Sequence, residues 1–321
     1  MRRSRTAARL LDAALNRLAK QLGLASFEAT FIADHIATLY GSIESGIRLS
    51  RDSRQAAGQQ VSREIPTIVH LGVNTVAYDL ERSETYAFGL GGHQASNEEQ
   101  LNELLRVLND VFLSLFVRAF ESFEAYYREA LAIVGRHDFA LWKYGRISAR
   151  TGVSRRPRDL GAARNAIARK RNGLGADEIL RWLRIVCPLF RAEESRGAIG
   201  VDYSVMFRLI PFFRHLCVHS AGKSAGSEFW SSVARITGRS IRIHTSRDPW
   251  RRRVEGLVRE EGGEIGIWLV DDASIRAGRT FATGRVPFLM SAIASEAALG
   301  YAKLIRHFGS TPIWKRRRTR K

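Results

Sequence analysis

The chain of 321 residues contains little cysteine and no long apolar run. Its two cysteines, Cys187 and Cys217, each lie in an apolar segment, and no CxxC zinc pattern occurs. A disulfide-stapled secreted domain is therefore excluded, and reduced thiols in a cytoplasmic protein are expected. The lack of 18 consecutive apolar residues predicts no membrane-spanning helix. The basic start also lacks the apolar stretch of a signal peptide.

Lysine is scarce as well: it supplies only seven of the 51 basic residues, which exceed the 32 acidic residues and give a net charge of +19. The positive charge is concentrated in residues 1–9, 150–171 and 315–321. Arginine binds phosphate through two parallel hydrogen bonds and stacks on bases, so these patches favour nucleic acid over a membrane surface as partner. The residues predicted to contact the RNA backbone are Arg155, Arg156, Arg158, Arg164, Arg169, Lys170, Arg171, Lys315, Arg316, Arg317 and Arg318.

Apolar residues recur at intervals of three and four along most of the chain, which predicts a mainly α-helical fold. Pro211 is expected to kink or restart the helix that contains it. The structure of 65–93 is left open, and 143–173 is predicted to be a linker, an exposed loop or a short surface helix at 160–171. Short strands are predicted at 240–244 and 264–270. The predicted helices cover 6–22, 27–49, 97–134 (the central core helix), 176 to Pro188 within the segment 176–190, 202–219 and 287–307.

Three short motifs near residue 220 point to other enzyme classes and fit them poorly. The AGKS sequence at 221–224 has Cys217 where a phosphate-binding loop needs glycine, and it follows a helix instead of a strand. The GKSAG sequence at 222–226 matches a nucleophile elbow but also follows a helix. His215 and His219 have the spacing of zinc ligands, but Leu216 replaces the glutamate of a zinc protease. We therefore expect no metal and no cofactor, and keep a zinc enzyme only as a third alternative.

The helix predicted over 202–219 carries a compact set of chemically active side chains. At about 100° per residue, Arg208, Arg214, His215 and His219 fall in one polar arc opposite a wide apolar face. A glycine-containing turn follows His219, and the carbonyl groups at a helix C-terminus attract a protonated imidazole. A histidine that moves a proton beside an arginine that neutralises phosphate is the minimum set for RNA cleavage without metal.

The segment FFRHLCVHSAG resembles the HEPN superfamily, whose members carry an arginine, four to six residues and then a histidine. Here the match is Arg214 and His219, with His215 as the polar residue directly after the arginine. The resemblance covers about 98–308 and implies a helical bundle and a homodimer whose two motifs form one composite cleft. It also implies metal-independent endoribonuclease activity, common in toxins and antiphage systems. The two strand-like segments would then be a small β-containing insertion.

From these features we expect an N-terminal helical region of unknown role at 1–95, a HEPN-like domain at 96–310 and a basic tail at 311–321. The expected function is RNA cleavage in a toxin or antiphage setting. Arg214 would contact the scissile phosphate, His219 would act as general acid or base, and His215 would support them. Glu121 and Glu124 are candidate supporting residues behind the site. The alternative is a non-catalytic nucleic-acid-binding or adaptor protein, and the expected partners are RNA, a second copy and an antitoxin or defence-system protein.

Overall fold

The computed structural model describes residues 2–56, 74–79, 84–89, 97–168, 174–194, 202–238, 249–276 and 285–310. Most of them are helical, which confirms the predicted mainly α fold with a small β-sheet. In chain order the elements are α1 (Arg2–Ala56), β1 (Asn74–Asp79), β2 (Glu84–Gly89), α2 (Asn97–His137), α3 (Phe139–Tyr144), α4 (Ile147–Thr151), α5 (Leu160–Ala168), α6 (Ala176–Val186), α7 (Pro188–Glu194), α8 (Tyr203–His219), β3 (Lys223–Ala225), α9 (Gly226–Thr237), α10 (Pro249–Glu255), β4 (Val258–Glu261), β5 (Glu264–Ile267), α11 (Asp272–Arg276) and α12 (Arg285–His307).

The chain forms two compact units. The first contains the described residues within 1–30, 111–270 and 282–321, and the second those within 31–110 and 271–281. In the second unit, β1 and β2 form an antiparallel hairpin in which Asn74 lies opposite Gly89. This hairpin falls in the stretch whose structure the sequence left open. The domain boundaries proposed at 95 and 310 stay predictions.

Several helices differ in extent from the sequence expectations. The two N-terminal helical segments form the single helix α1, and the helix containing Pro211 continues through it without restarting. The helix that begins at Ala176 ends at Val186, next to the predicted end at Pro188. Pro188 then opens a further helix, α7, at the first helical position, where its missing N–H costs nothing. Residues 160–168 form the short helix α5. The strand predicted at 264–270 ends at Ile267, and the one at 240–244 lies outside the described residues.

The core of the first unit is built around α2, α8 and α12. The buried rings of Phe123 and Phe207 lie 4.9 Å apart between centroids, which packs α2 against α8. The Tyr127 hydroxyl donates to the carbonyl of Glu296 at 3.0 Å and fixes α2 to α12. A Cβ at Gly300 would collide with that hydroxyl and lie 3.1 Å from the ring. The contact between α2 and α12 therefore requires glycine at this position.

Charged groups are buried in the same core. Arg184 forms two hydrogen bonds with the fully buried carboxylate of Glu194, at 2.8 and 2.7 Å. The carboxyl group of Glu296 is also fully buried beside Glu194, and two ionised carboxylates would have no hydrogen to share. Burial is the largest cause that raises the pKa of Glu296 well above its ordinary value, and a side-chain hydrogen bond with Glu194 is the next. We infer that Glu296 is protonated and neutral in the folded protein.

Helix α12 is the one helix of the described residues that is long and apolar enough to cross a membrane, with a mean hydropathy of 1.3. Buried core helices meet the same criterion, and 67% of the apolar window is buried inside the protein. Its inner face also carries polar groups, since Glu296 and Lys303 are buried and Lys303 pairs with Glu193. We therefore describe α12 as a core helix.

Candidate functional site

Helix α8 holds the candidate site at its C-terminal end. Asp202 caps its N-terminus by accepting a hydrogen bond from the amide of Ser204 at 2.9 Å. Phe213 and Leu216 are buried, and Phe213 stacks on Phe229 of α9 with an angle of 4° between the rings. Because this face is fixed in the core, the opposite face of the last two turns lies toward solvent. That face carries Arg214, His215 and His219.

The two histidine rings form a pair, and Arg214 precedes them on the same helix. The imidazole rings of His215 and His219 are both exposed, and their centroids lie 4.7 Å apart. Nη2 of Arg214 lies 3.4 Å from Oε1 of Glu121 on α2, near the upper limit of a hydrogen bond. The Nε atom of Arg214 is buried and has no hydrogen-bond partner among the described residues. Because its contact with Glu121 is long, the partly exposed guanidinium of Arg214 retains donor capacity on the same helix as two accessible imidazoles.

The turn after His219 closes the site and is built from special backbone conformations. Ala221 and Gly222 both have positive φ angles, 49° and 78°. A Cβ at Gly222 would lie 3.4 Å from Leu113, so glycine serves both the turn and the close approach to α2. The carbonyl of Gly222 accepts a hydrogen bond from the amide of Ile267 at 2.8 Å. This contact attaches the antiparallel sheet β3-β5-β4 directly to the end of α8.

Glu121 and Glu124 lie on the same helix but have different partners. Glu121 faces Arg214, as described above. Oε1 of Glu124 accepts a hydrogen bond from the amide of Ala176 at 3.1 Å, and Oε2 lies 3.4 Å from Arg128. Glu124 therefore caps the N-terminus of α6, where the helix dipole favours a negative charge. Of the two carboxylates suggested as supporting residues, the structure brings Glu121 to the site and places Glu124 at the start of α6.

The residues on this face of α8 are poorly suited to cysteine or metal chemistry. Burial raises the pKa of the Cys217 thiol to about 12, so this thiol stays protonated near neutrality and is a poor nucleophile. His215 and His219 are neighbours on one helix, but a zinc site needs at least a third protein ligand. In the part of the chain that the structure describes, no group of three histidine, cysteine, aspartate or glutamate side chains could hold a metal ion.

The arginines predicted to bind RNA fall into two groups. Arg156 donates to the carbonyls of Arg136 and His137 at the end of α2, at 2.5 and 3.1 Å. Arg164 forms two hydrogen bonds with Glu129, at 2.7 and 2.6 Å. These two side chains therefore hold elements of the protein together. Arg155 and Arg158 are exposed, and the Arg158 side chain is 93% accessible beside Asp159. The remaining members, Arg169, Lys170, Arg171, Lys315, Arg316, Arg317 and Arg318, lie outside the described residues.

The structure adds a groove that sequence reasoning missed. It lies between α1 and α2, beside Glu121, and has a volume of about 360 Å³. Its walls come from residues about 100 positions apart in the chain, which no local motif could connect. Only the exposed polar residues on an otherwise apolar stretch of α1, such as Gln21, could have drawn attention to it.

Comparisons with known proteins add no family assignment. No protein-family model, no curated protein and no solved structure matches this chain.

Proposed function

We propose that the protein is a metal-independent endoribonuclease whose catalytic residues are Arg214 and His219. The observation that carries the proposal is the state of Arg214. Its side chain is 30% exposed, and its contact with Glu121 is long. A phosphate oxygen is a strong acceptor for guanidinium, and it can displace a weak, solvent-screened contact of this kind. His219 follows at the end of the same helix, exposed to a bound substrate.

The proposed chemistry is an intramolecular transesterification. Phosphorus exchanges its bond to the 5′ oxygen for a bond to the adjacent 2′ oxygen. His219 accepts the proton of the 2′-hydroxyl, and the 2′ oxygen attacks phosphorus. The bond from phosphorus to the 5′ oxygen breaks, and that oxygen takes up a proton from water. The resulting hydroxide removes the proton held by His219, which regenerates the base. Arg214 stabilises the negative charge that accumulates on the phosphate oxygens. The products are a 2′,3′-cyclic phosphate and a free 5′-hydroxyl, and no step uses a metal.

His215 and Glu121 have supporting roles in this scheme. The His215 ring lies against that of His219 and limits the orientations open to it. Glu121 holds Arg214 through one long contact when no RNA is bound. When RNA is bound, the same guanidinium binds phosphate, so Glu121 competes with the substrate for Arg214. In the absence of RNA, Glu121 keeps Arg214 directed toward the site.

The resemblance to HEPN proteins extends the proposal to the assembly and its setting. A second copy would bring its own arginine and histidine to the same cleft, and a toxin or antiphage role would require a partner that keeps the nuclease silent. The exposed Arg155 and Arg158 would add backbone contacts that attract RNA without reading its sequence.

The test is cleavage of a defined RNA by the wild type, His219→Ala and Arg214→Ala. General acid–base catalysis contributes about 10²–10⁴-fold, so His219→Ala should lose about that much activity. Arg214→Ala should lose a similar amount. The matched control is Arg208→Ala, since Arg208 is an exposed arginine on the same helix whose Nε donates to the carbonyl of Ser204 at 3.1 Å. It should retain activity.

Three further readouts separate the alternatives. EDTA should leave cleavage unchanged, product ends should carry cyclic phosphate, and thermal melts should show that both variants fold. Full cleavage by folded His219→Ala would contradict the assignment at this site. RNA binding without cleavage by any version of the protein would favour the non-catalytic RNA-binding alternative. Loss of wild-type activity on chelation would favour metal chemistry.

A further inference from the structure

The groove between α1 and α2 meets the candidate site at one residue. Glu121 lines the groove and also faces Arg214. Arg118 and Ser122 precede and follow Glu121 on the same side of α2, and Ser122 donates to the carbonyl of Arg118 at 2.8 Å. Gln21 and Leu24 form the opposite wall on α1. A chain bound at Arg214 would therefore enter this groove directly.

The groove combines a small apolar floor with polar groups along its walls. Ala25 and Ala119 are almost completely buried beneath it, and Leu24 is 50% exposed at its edge. Gln21 offers an amide, which both donates and accepts, and Ser122 offers a hydroxyl. Its volume of about 360 Å³ is at the lower end of the range for small-molecule sites. One nucleotide, with an apolar base face and polar edges, suits this combination.

The guanidinium of Arg118 lies at the rim of the groove, where a phosphate group could bind it. Nη1 of Arg118 lies 2.8 Å from Oε2 of Glu28, and Nη2 lies 3.5 Å from Oε1. The two side chains are 58% and 39% exposed, so water screens their attraction and the pair is weak. A guanidinium has five N–H donors, which allows Arg118 to bind a phosphate oxygen while Glu28 remains close.

We propose that this groove binds the nucleotide next to the scissile phosphate in single-stranded RNA. The base lies on the alanine floor, Gln21 and Ser122 contact its polar edge or the ribose, and Arg118 binds the adjoining phosphate. The strand passes over Glu121 between this nucleotide and Arg214. The proposal rests on the proposed ribonuclease function for the identity of the ligand.

The first experiment separates a phosphate contact from a structural ion pair. A labelled 12-nucleotide single-stranded RNA of mixed sequence is bound to protein carrying His219→Ala, which prevents cleavage, and affinity is followed by fluorescence anisotropy. Arg118→Gln should weaken binding and lower the log–log salt slope by roughly 0.7, the value for one contact on a single strand. Glu28→Gln should tighten binding, because it removes the competitor for the same guanidinium. Equal effects of the two changes, or no effect of either, would overturn the phosphate contact.

The second experiment fills the groove. Ala125 lines it and is exposed, so Ala125→Trp occupies the space without entering the core. Ala294 is an exposed alanine on the long helix α12, and Ala294→Trp is the matched control. Ala125→Trp should weaken RNA binding about tenfold, within the range for losing one bound base, and Ala294→Trp should leave it unchanged.

The outcomes distinguish this inference from the proposed function. If wild type cleaves RNA and Ala125→Trp binds it normally, the groove assignment is wrong and the nuclease assignment stands. If wild type does not cleave but the Arg118, Glu28 and Ala125 variants change affinity as expected, the groove stands and the catalytic assignment is wrong. If Ala125→Trp leaves RNA affinity unchanged and alters the molar mass measured by light scattering, the groove is a protein interface and the inference fails.

Discussion

The buried carboxyl group of Glu296 predicts how the stability of the first unit depends on pH. Its carboxyl group faces Glu194, Arg184 and Tyr127, and burial raises its pKa well above the ordinary 4.5. The unfolded chain releases this proton above about pH 4.5, whereas the folded protein keeps it up to the raised native pKa. The folded state therefore binds more protons in that window. Stability contributed through Glu296 is complete below pH 4.5 and is lost as pH rises toward the native pKa.

The size of the effect follows from one proton. Across that window the free energy of unfolding falls by about 1.4 kcal/mol for each pH unit. For a chain of 321 residues, that corresponds to a decrease in Tm of roughly 2 °C per unit. Glu296→Gln removes the titrating group while keeping the side chain's shape. The variant should therefore gain stability relative to wild type as pH increases from 4.5.

The assay is thermal and urea unfolding of both proteins between pH 4.5 and 7.5. The matched control is Glu228→Gln, since Glu228 is exposed on α9 and its loss should shift the whole curve without changing its slope. Parallel curves for wild type and Glu296→Gln would show that Glu296 is ionised in the folded protein, and the reasoning about its burial would be refuted.

Two further predictions use matched substitutions. Gly300→Ala should cost about 1–3 kcal/mol, because the new methyl group overpacks the contact between α2 and α12. The same change at exposed Gly23, where a Cβ meets nothing within 4 Å, should stabilise α1 by about 0.5–1 kcal/mol in urea unfolding. Arg155→Gln with Arg158→Gln should lower the salt slope of RNA binding and leave stability unchanged. Arg164→Gln should instead lower Tm without changing that slope, and the opposite pattern would exclude the two exposed arginines as RNA contacts.

Local sequence patterns predicted the helix that carries the candidate site and the turn that follows it. The periodicity of apolar residues over 202–219 predicted both helix α8 and the exposure of Arg214, His215 and His219 on its outer face. Side-chain periodicity depends only on the 100° step of the helix, so a single segment contains the information. The turn at Gly222 was predicted for the same reason, because its positive φ angle is a local backbone requirement.

Other features depended on contacts between distant segments. Glu121 and Glu124 are three residues apart on one helix and looked equivalent in sequence. Because α8 and α6 pack against α2, Glu121 contacts Arg214, whereas Glu124 accepts a hydrogen bond from the amide of Ala176. Likewise, Arg155 and Arg164 belong to one basic stretch, but of these two it is Arg164 that pairs with Glu129. The sequence shows how many charged residues a segment contains, but the tertiary fold decides which of them form ion pairs.

The sequence by itself therefore determined the helical class, the polar arc of α8 and the excess of arginine, since these are properties of composition and of single segments. Tertiary structure alone decided that Arg214 meets Glu121, that α1 and α2 enclose a groove beside that pair, and that Glu296 is buried next to Glu194. Each of these joins residues from separate helices. Their proximity depends on how apolar faces pack over the whole unit, and no short stretch of the chain encodes that packing.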